Sequence, residues 1–509
     1  MKRGSGMLIM TGNNTYSGGT TVEDGALYGF SESFGSGNVN VNGGVFGVLS
    51  SFNDNFTQKG QLNSLVGIAR APIQKANIVV NNGGTYAIVA DQDVQVGNLT
   101  FNPGSLVTVT SLTNDAFEKA YDGIDQVGTV TADKIEGFNQ NAVVTPDYAL
   151  VDHKVTLEGN TLTGILTKSD KTLADYALTS NGVAVANALM ADSNLLGGLA
   201  DSTKAEARKT IASLANDIHV TANAMTIANG QSLVREIKDQ AIGIDGSARV
   251  AEVDGGRARL WMSTIGNWSK MDRDGASKLK SDFYTGLIGL EADVNVSNKV
   301  GIFFGAGKTK FKGGHDGKID SKDFHFGIYG QSNLDPVRLS YGFAYTHQDR
   351  DSNRALFYKS QGFGSSASYN AKLAQVFGEA AYTGLNLGTV NIEPYVGLAW
   401  MHLSADDFSD TYAGTRVKVP FEVGAAKFKA VADVNWTQFM GDTRGKSTLK
   451  IGSGVGAKIQ SDKLSSVAAV GLGLEAQLAK RASLGVSYYG AYGSKIKSNG
   501  VGATFKFAF

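Results

Sequence analysis

Val501-Gly502-Ala503-Thr504-Phe505-Lys506-Phe507-Ala508-Phe509 alternates strictly and stops on an aromatic residue. In a strand, Val501, Ala503, Phe505, Phe507 and Phe509 fall on one face, and Gly502, Thr504, Lys506 and Ala508 fall on the other. A soluble sheet can use the same pattern, but an exposed aromatic edge strand invites aggregation. The pattern is safe where the strand closes a barrel and its apolar face meets lipid.

Working back to about Gly256, the same division recurs in segments separated by Gly, Asp, Asn and Ser clusters. Tyr284, Ile288, Leu290, Ala292 and Val294 share a face, opposite Thr285, Gly289, Glu291 and Asp293. Phe324, Phe326 and Ile328 oppose His325, Gly327 and Tyr329, while Val434 and Trp436 oppose Asp433 and Asn435. Glu379 and Glu393 likewise stand opposite apolar neighbours. A soluble sandwich gives the same period, so period alone leaves both open. Strand length, aromatic strand ends and the final Phe509 favour a transmembrane barrel.

Upstream, from about Asp170 to Gly243, the period becomes helical. Lys204 to Ala215 is Ala-rich with Ile211, Leu214 and Ile218 on one side, Ser202 or Thr203 in place to cap it and Glu206 following. Gln231 to Ile242 is a second helical stretch that ends near Gly243. Further upstream, Asn38 to Phe46 and Asn77 to Tyr86 repeat one design: a short strand, an Asn-Gly-Gly turn and a second strand. Asn13 to Val22 followed by Gly25 to Leu27 fits a further unit. Such units cannot bury a face alone and stack into a parallel β-solenoid, with a β-sandwich of Asn-Gly hairpins as the alternative. Ser51 to Gln74 breaks the pattern and reads as an insertion.

Composition agrees with a β-rich chain of tight turns: 64 glycines and 6 prolines in 509 residues, with 18 Tyr and 25 Phe against 4 Trp. Forty-seven basic residues balance 47 acidic ones, which argues against nucleic acid as a partner. The chain has no cysteine, which suits passage through an oxidising compartment. No apolar run approaches the ~20 residues of a membrane helix, so a membrane location implies a barrel. Met7-Leu8-Ile9-Met10 is too short an apolar run for a signal peptide, so a chain lacking its natural N-terminal part is expected.

No catalytic, cofactor-binding or metal-binding residue is expected. There is no G-x-S-x-G or H-E-x-x-H sequence, and the six histidines are scattered. Gly441 to Ser447 imitates a phosphate loop but is one residue short, and Gly362 to Ala367 lacks the setting of a dinucleotide fingerprint and reads as a loop.

Several of these segments resemble the classical autotransporters of type V secretion. Gln375 to Tyr382 and Ile392 to Trp400 resemble that family's paired central strands, and Leu484 to Gly490 running into Phe509 resembles its last two. Tyr16-Ser17-Gly18-Gly19-Thr20-Thr21-Val22 is similar to the passenger-associated repeat, and Ala205 to Arg208 to the family linker. The resemblance implies an all-β chain with a right-handed parallel β-solenoid passenger end at residues 1–168, a helical linker at 169–247, and an antiparallel barrel of about twelve strands at 248–509 with a helix in its lumen. It implies an outer-membrane translocator of a Gram-negative bacterium that displays an adhesin-like passenger associated with virulence. The alternative is a passenger enzyme, such as a serine hydrolase, whose catalytic part lies upstream. Implied partners are outer-membrane lipid, periplasmic chaperones, the barrel-assembly machinery that reads Phe505, Phe507 and Phe509, and a host surface ligand. Eleven strands are clear; the eighth, Thr411 to Val423, is interrupted by Pro420, so it is short, replaced by Leu449 to Ile459, or defective. Arg235 and Lys238 of the helix are expected to face Glu291, Asp293, Glu379, Glu393 and Asp433 in the lumen, unless these charges merely face water there. Some relatives cut themselves at a linker asparagine; Asn223 and Asn229 are the nearest candidates, and neither sits in a paired-asparagine motif.

Overall fold

A computed structural model describes the chain apart from residues 51–74, 145–146, 216, 243–257, 274–275, 314–316, 404–405, 442, 453–455, 480 and 509. The insertion at Ser51 to Gln74, the helix stop at Gly243, the boundary at 247 and the terminal Phe509 therefore lie outside the described residues.

The N-terminal region is a stack of parallel rungs. Thr20–Val22, Val39–Val41, Ile78–Val80 and Asp93–Phe101 pair in parallel in one sheet. Ala26–Phe30, Val45–Leu49, Thr85–Val89 and Leu106–Thr110 pair in parallel in a second, which Met7–Met10 extends. Each Asn-Gly-Gly turn thus joins strands of different sheets, so it is a corner and not a hairpin. This decides for the solenoid against the sandwich. The corner demands glycine at Gly44, where φ is 68° and a Cβ would stand 2.4 Å from the Gly25 carbonyl oxygen. Carboxamides stack at the corners: Asn102 donates to Asn81 at 2.6 Å and Asn81 to Asn42 at 2.7 Å. Inside, Phe34, Phe46, Tyr86, Phe101 and Phe138 form a file of rings with neighbouring centroids 4.9–6.3 Å apart. The parallel order stops after Gln126–Glu136, onto which Thr161–Lys168 and then Val151–Glu158 add as an antiparallel hairpin. Helix α1 (Asn114–Tyr121) packs beside it through the buried Phe117.

Four further helices follow: α2 (Ser180–Met190), α3 (Ser193–Gly197), α4 (Lys204–Leu214) and α5 (Asp217–Ile242). Of the two capping candidates, Thr203 caps α4: its hydroxyl accepts from the Glu206 amide at 3.2 Å, and the Glu206 carboxylate accepts from the Thr203 amide at 3.0 Å. Thr203→Ala is expected to cost about 1 kcal/mol of local stability, read as faster limited proteolysis within residues 170–215 with the barrel intact. Helices α2 to α4 form a collar over one end of the barrel.

Twelve strands make that barrel: β1 (Ala258–Arg273), β2 (Ala276–Asp293), β3 (Asn298–Lys312), β4 (Lys318–Leu334), β5 (Val337–Tyr358), β6 (Gln361–Tyr382), β7 (Val390–Leu403), β8 (Asp406–Val423), β9 (Ala426–Gly441), β10 (Ser466–Ala479), β11 (Ala482–Gly493) and β12 (Ile496–Ala508). Each pairs antiparallel with the next, and β12 returns to β1 along thirteen residue pairs from Arg259 with Ala508 to Met271 with Ile496, so the wall is closed. Tyr284, Ile288, Leu290, Phe324, Val434 and Trp436 all point outward and are 44–62% exposed. That is a lipid-facing surface with no second sheet over it. Among the described residues no helix is long and apolar enough to cross a membrane, which leaves the strands as the spanning elements.

Three expectations change. The eighth strand is intact over 18 residues. Its pairing with β7 ends at Lys418, while its pairing with β9 continues to Val423, so Pro420 lies where β8 has a single neighbour. A strand with one open side tolerates proline. Residues Leu449 to Ile459 do not replace β8 either. They belong to a separate hairpin, Lys446–Lys450 with Gly456–Gln460, that rises between β9 and β10. Its Ile451, Ala457 and Ile459 are buried with Leu173, Val185, Leu189 and Ile211 of the collar. Asn181 of α2 closes the contact, donating to the Gln460 carbonyl at 2.8 Å and accepting from its amide at 3.0 Å. Gly362 to Ala367 is strand within β6, not loop, while Gly441 ends β9 and Lys446 opens the hairpin, with residue 442 outside the described residues.

Candidate functional site in the barrel lumen

Helix α5 occupies the lumen. Its 26 residues span about 39 Å, more than the ~30 Å hydrocarbon thickness of a bilayer. Phe283, Phe303, Phe311 and Trp261 point inward and are buried with Met225, Leu233 and Ile237 of the helix. The inner face is therefore partly aromatic, whereas its sequence reads as small, polar or charged. Alternation marks the lipid side reliably; what fills the lumen depends on the helix, which no strand pattern reveals.

Polar contacts hold the helix along its length. At the collar end Arg273 donates to Asp217 at 2.7 Å, and Arg350 donates to Asn223 at 2.7 Å and to Thr226 at 2.5 Å. Midway, Asn229 donates to Ser281 at 3.2 Å and accepts from Asn267 at 3.2 Å. Among the described residues no carboxylate hydrogen-bonds Asn223 or Asn229, so neither has an acid to promote cyclisation. Lower down, Glu236 accepts from Ser263 at 2.6 Å and Thr504 at 2.9 Å, tying the helix to β1 and β12 across the barrel closure.

The charges gather at the end of the helix remote from the collar. Lys238 donates to Glu379 at 3.1 Å and to the Tyr412 hydroxyl at 2.8 Å. Arg235 lies 3.8 Å from Asp433 and 4.0 Å over the Tyr489 ring. It reaches the wall there because residue 471 is glycine: a Cβ at Gly471 would sit 1.8 Å from its guanidinium. Behind this pair of contacts, Arg416 of β8 joins three acids, at 3.3 Å from Glu379, 3.6 Å from Glu393 and 3.7 Å from Asp433. Arg338 grips Glu393 with two hydrogen bonds of 3.0 and 2.5 Å, and Lys418 adds a third at 2.9 Å.

Of the acids expected to meet the helix, Glu379 and Asp433 do so. Glu393 is held by wall cations alone. Glu291 and Asp293 are turned aside by Arg259 of β1, 2.6 Å from Glu291 and 3.0 Å from Asp293, with Tyr329 donating to Glu291 at 3.0 Å. The reason is cross-strand proximity: Arg259 and Glu291 are direct partners in the β1–β2 ladder, nearer than any helix side chain. Arg416, Arg338 and Lys418 are additions that sequence reasoning missed. Arg416 and Lys418 share the inward parity of Tyr412 and Gly414, a signal hidden by the weakly apolar opposite face of Thr411, Ala413 and Thr415. Of the C-terminal aromatics, Phe507 is 40% exposed on the lipid face, Phe505 is half-buried, and β12 is paired on both sides.

Charges paired in this way, around a packed helix, position a segment and do not activate a substrate. Among the described residues no three metal-binding side chains converge. The family comparisons agree with that geometry. Residues 260–489 match the autotransporter β-domain, and residues 2–28 match the passenger-associated-transport-repeat. The barrel is an autotransporter translocator domain. Domains of this kind are outer-membrane proteins of Gram-negative bacteria, and the translocator itself is not catalytic.

An extracellular serine protease of Serratia marcescens is 22% identical over 586 aligned residues, covering 100% of this chain and 55% of the protease. The chain thus spans about half the length of the curated relatives it matches. Among solved structures, the β domain of the Bordetella autotransporter BrkA is 18% identical with a TM-score of 0.41, covering 50% of this chain and 100% of that one. The translocator domain of the autotransporter NalP from Neisseria meningitidis is 14% identical with a TM-score of 0.43, covering 56% and 98%.

Proposed function

We propose that this translocator delivers the preceding part of its own chain through the outer membrane and keeps it at the cell surface. The observation that carries the reading is the continuous path of the chain: solenoid, collar, and a helix that fills the lumen from the collar end downward, leading to β1. A packed, hydrogen-bonded helix closes the pore behind the exported segment. Folding of solenoid rungs outside gives direction, because a formed rung cannot re-enter a lumen that one helix fills. Outer-membrane lipid covers the barrel, and periplasmic chaperones and the barrel-assembly machinery act through the aromatic C-terminal strand. On this reading the displayed part binds a host surface ligand and is not an enzyme.

The test is expression of the whole chain in a Gram-negative host. The barrel is expected in the outer-membrane fraction and to migrate faster unheated than boiled on a denaturing gel. Protease added to intact cells is expected to remove the solenoid and spare the barrel. Recovery in the soluble fraction, or a solenoid protected until cells are lysed, overturns the proposal. A second reading is favoured by the name of the Serratia relatives: the displayed protein is a protease whose catalytic part precedes residue 1. Peptide hydrolysis by cells carrying the full reading frame would decide for it.

A further inference from the structure

One outward-facing patch lies outside the site already described. Lys497, Lys270, Lys280, Lys312 and Lys318 are consecutive cross-strand neighbours in one row running over β12, β1, β2, β3 and β4. All five are exposed, on the same face as the lipid-facing Tyr284 and Phe324. Like charges directly opposite one another repel, and here four successive neighbour pairs do so. Lys308, Lys310 and Lys322 extend the patch toward the membrane.

Carboxylates answer part of this charge: Asp282 lies 2.8 Å from Lys312 and Asp320 3.2 Å from Lys318, while Asp272, near Lys497, is held by Lys278 at 2.8 Å. Among the described residues none lies within 4.0 Å of Lys270, Lys280 or Lys497. The row ends at β5, where Lys318 faces Asn353 and where Asp349 and Asp351 are the partners of Lys322 and Asp320. A surplus of positive charge confined to five adjacent strands is a surface built for an anion.

Position identifies which anion. Just below the row, Trp268 donates to the Tyr284 hydroxyl at 2.7 Å, and both rings are more than 40% exposed, as at the aromatic girdle of a membrane barrel. Lys308 to Lys312 rises along the strand by about 14 Å, or roughly 10 Å along the membrane normal after tilt, enough to cross a headgroup layer of about 5–8 Å. The row is at the collar end, since Arg273, two residues from Met271 at its level, binds Asp217. If the solenoid is displayed outside, which is the reading above, this end lies in the outer leaflet.

We propose that the lysine row of β12 to β4 binds the phosphorylated headgroup of the outer leaflet's glycolipid, with phosphates seated between neighbouring lysines. Binding relieves the cross-strand repulsion and fixes the barrel's height and rotation relative to lipid on one side only.

The test uses the whole chain in a neutral detergent and follows the temperature at which the fast-migrating folded band converts to the unfolded one. Diphosphorylated lipid A is expected to raise that temperature by about 5 °C or more, and high salt to abolish the rise. A variant carrying K270Q, K280Q, K312Q, K318Q and K497Q is expected to lose the rise, while the corresponding five Lys→Arg changes keep it. An equal rise in the Gln variant, or an equal rise with dephosphorylated lipid A, overturns the proposal. So does an equal rise with inorganic phosphate, which would mean an ion site and not a lipid site. The assay does not depend on orientation in cells. A solenoid shielded from protease on intact cells, alongside a lipid A effect that the Gln variant lacks, would reject surface display and leave the lysine row standing.

Discussion

Arg416→Met is expected to lower the temperature of the folded-to-unfolded band conversion by about 10 °C, the largest effect of any single substitution in the lumen. Arg416 is 6% exposed and is shared by Glu379, Glu393 and Asp433. Methionine fills similar volume but leaves Asp433 with one cation, Arg235 at 3.8 Å, beside the neutral donors Tyr395 at 2.7 Å and Asn435 at 2.9 Å. Removing one member of a buried charge network costs about 3–5 kcal/mol, because the partners stay desolvated. Lys238→Met is the informative comparison. It strips one cation from Glu379 but leaves Arg416 in place, so its effect should be smaller. Equal effects of the two substitutions would show that the network is not centred on Arg416.

Phe46→Ala is expected to cost about 3–5 kcal/mol, and to cost it in the solenoid alone. Phe46 is fully buried, 4.9 Å from the Phe34 ring and 6.3 Å from Tyr86, so its loss breaks the file of rings between two rungs. Rungs are stabilised by their neighbours, so a gap uncouples the part above from the part below. The expected readout is protease cleavage near residue 46 at temperatures where the wild-type solenoid resists, with band conversion of the barrel unchanged. If the barrel transition falls as well, the two regions do not fold independently.

The sequence makes the lipid face easy to read and the lumen hard to read, for one physical reason. Every outward residue of the spanning band meets the same medium, so Tyr284, Ile288 and Leu290 repeat a simple rule. Each inward residue meets a particular neighbour, and Phe283 and Glu291, both on β2 and both inward, meet aliphatic helix side chains and an arginine of β1 respectively. The helix partners Glu379 and Asp433 could be named from parity and charge, but not the competition that diverts Glu291, Asp293 and Glu393. Pro420 misled most: it cast doubt on the strand that supplies Arg416 and Lys418, the cations that organise the cluster. In the solenoid, the Asn-Gly-Gly repeats were visible, yet only the pairing of Val39–Val41 with Ile78–Val80 shows them to be corners.

The hairpin between β9 and β10 gives the molecule a mechanical property. Because Ile451, Ala457 and Ile459 share one apolar cluster with the collar, and Phe357, Tyr358 and Lys359 at the end of β5 hydrogen-bond Ser213, Leu195 and Thr210, tension applied to the solenoid reaches the wall at β5, β9 and β10 before it reaches the threaded helix. A cell held by its exported stalk in flowing liquid would bear the load on those two anchorages, and the plug in its pore would stay slack.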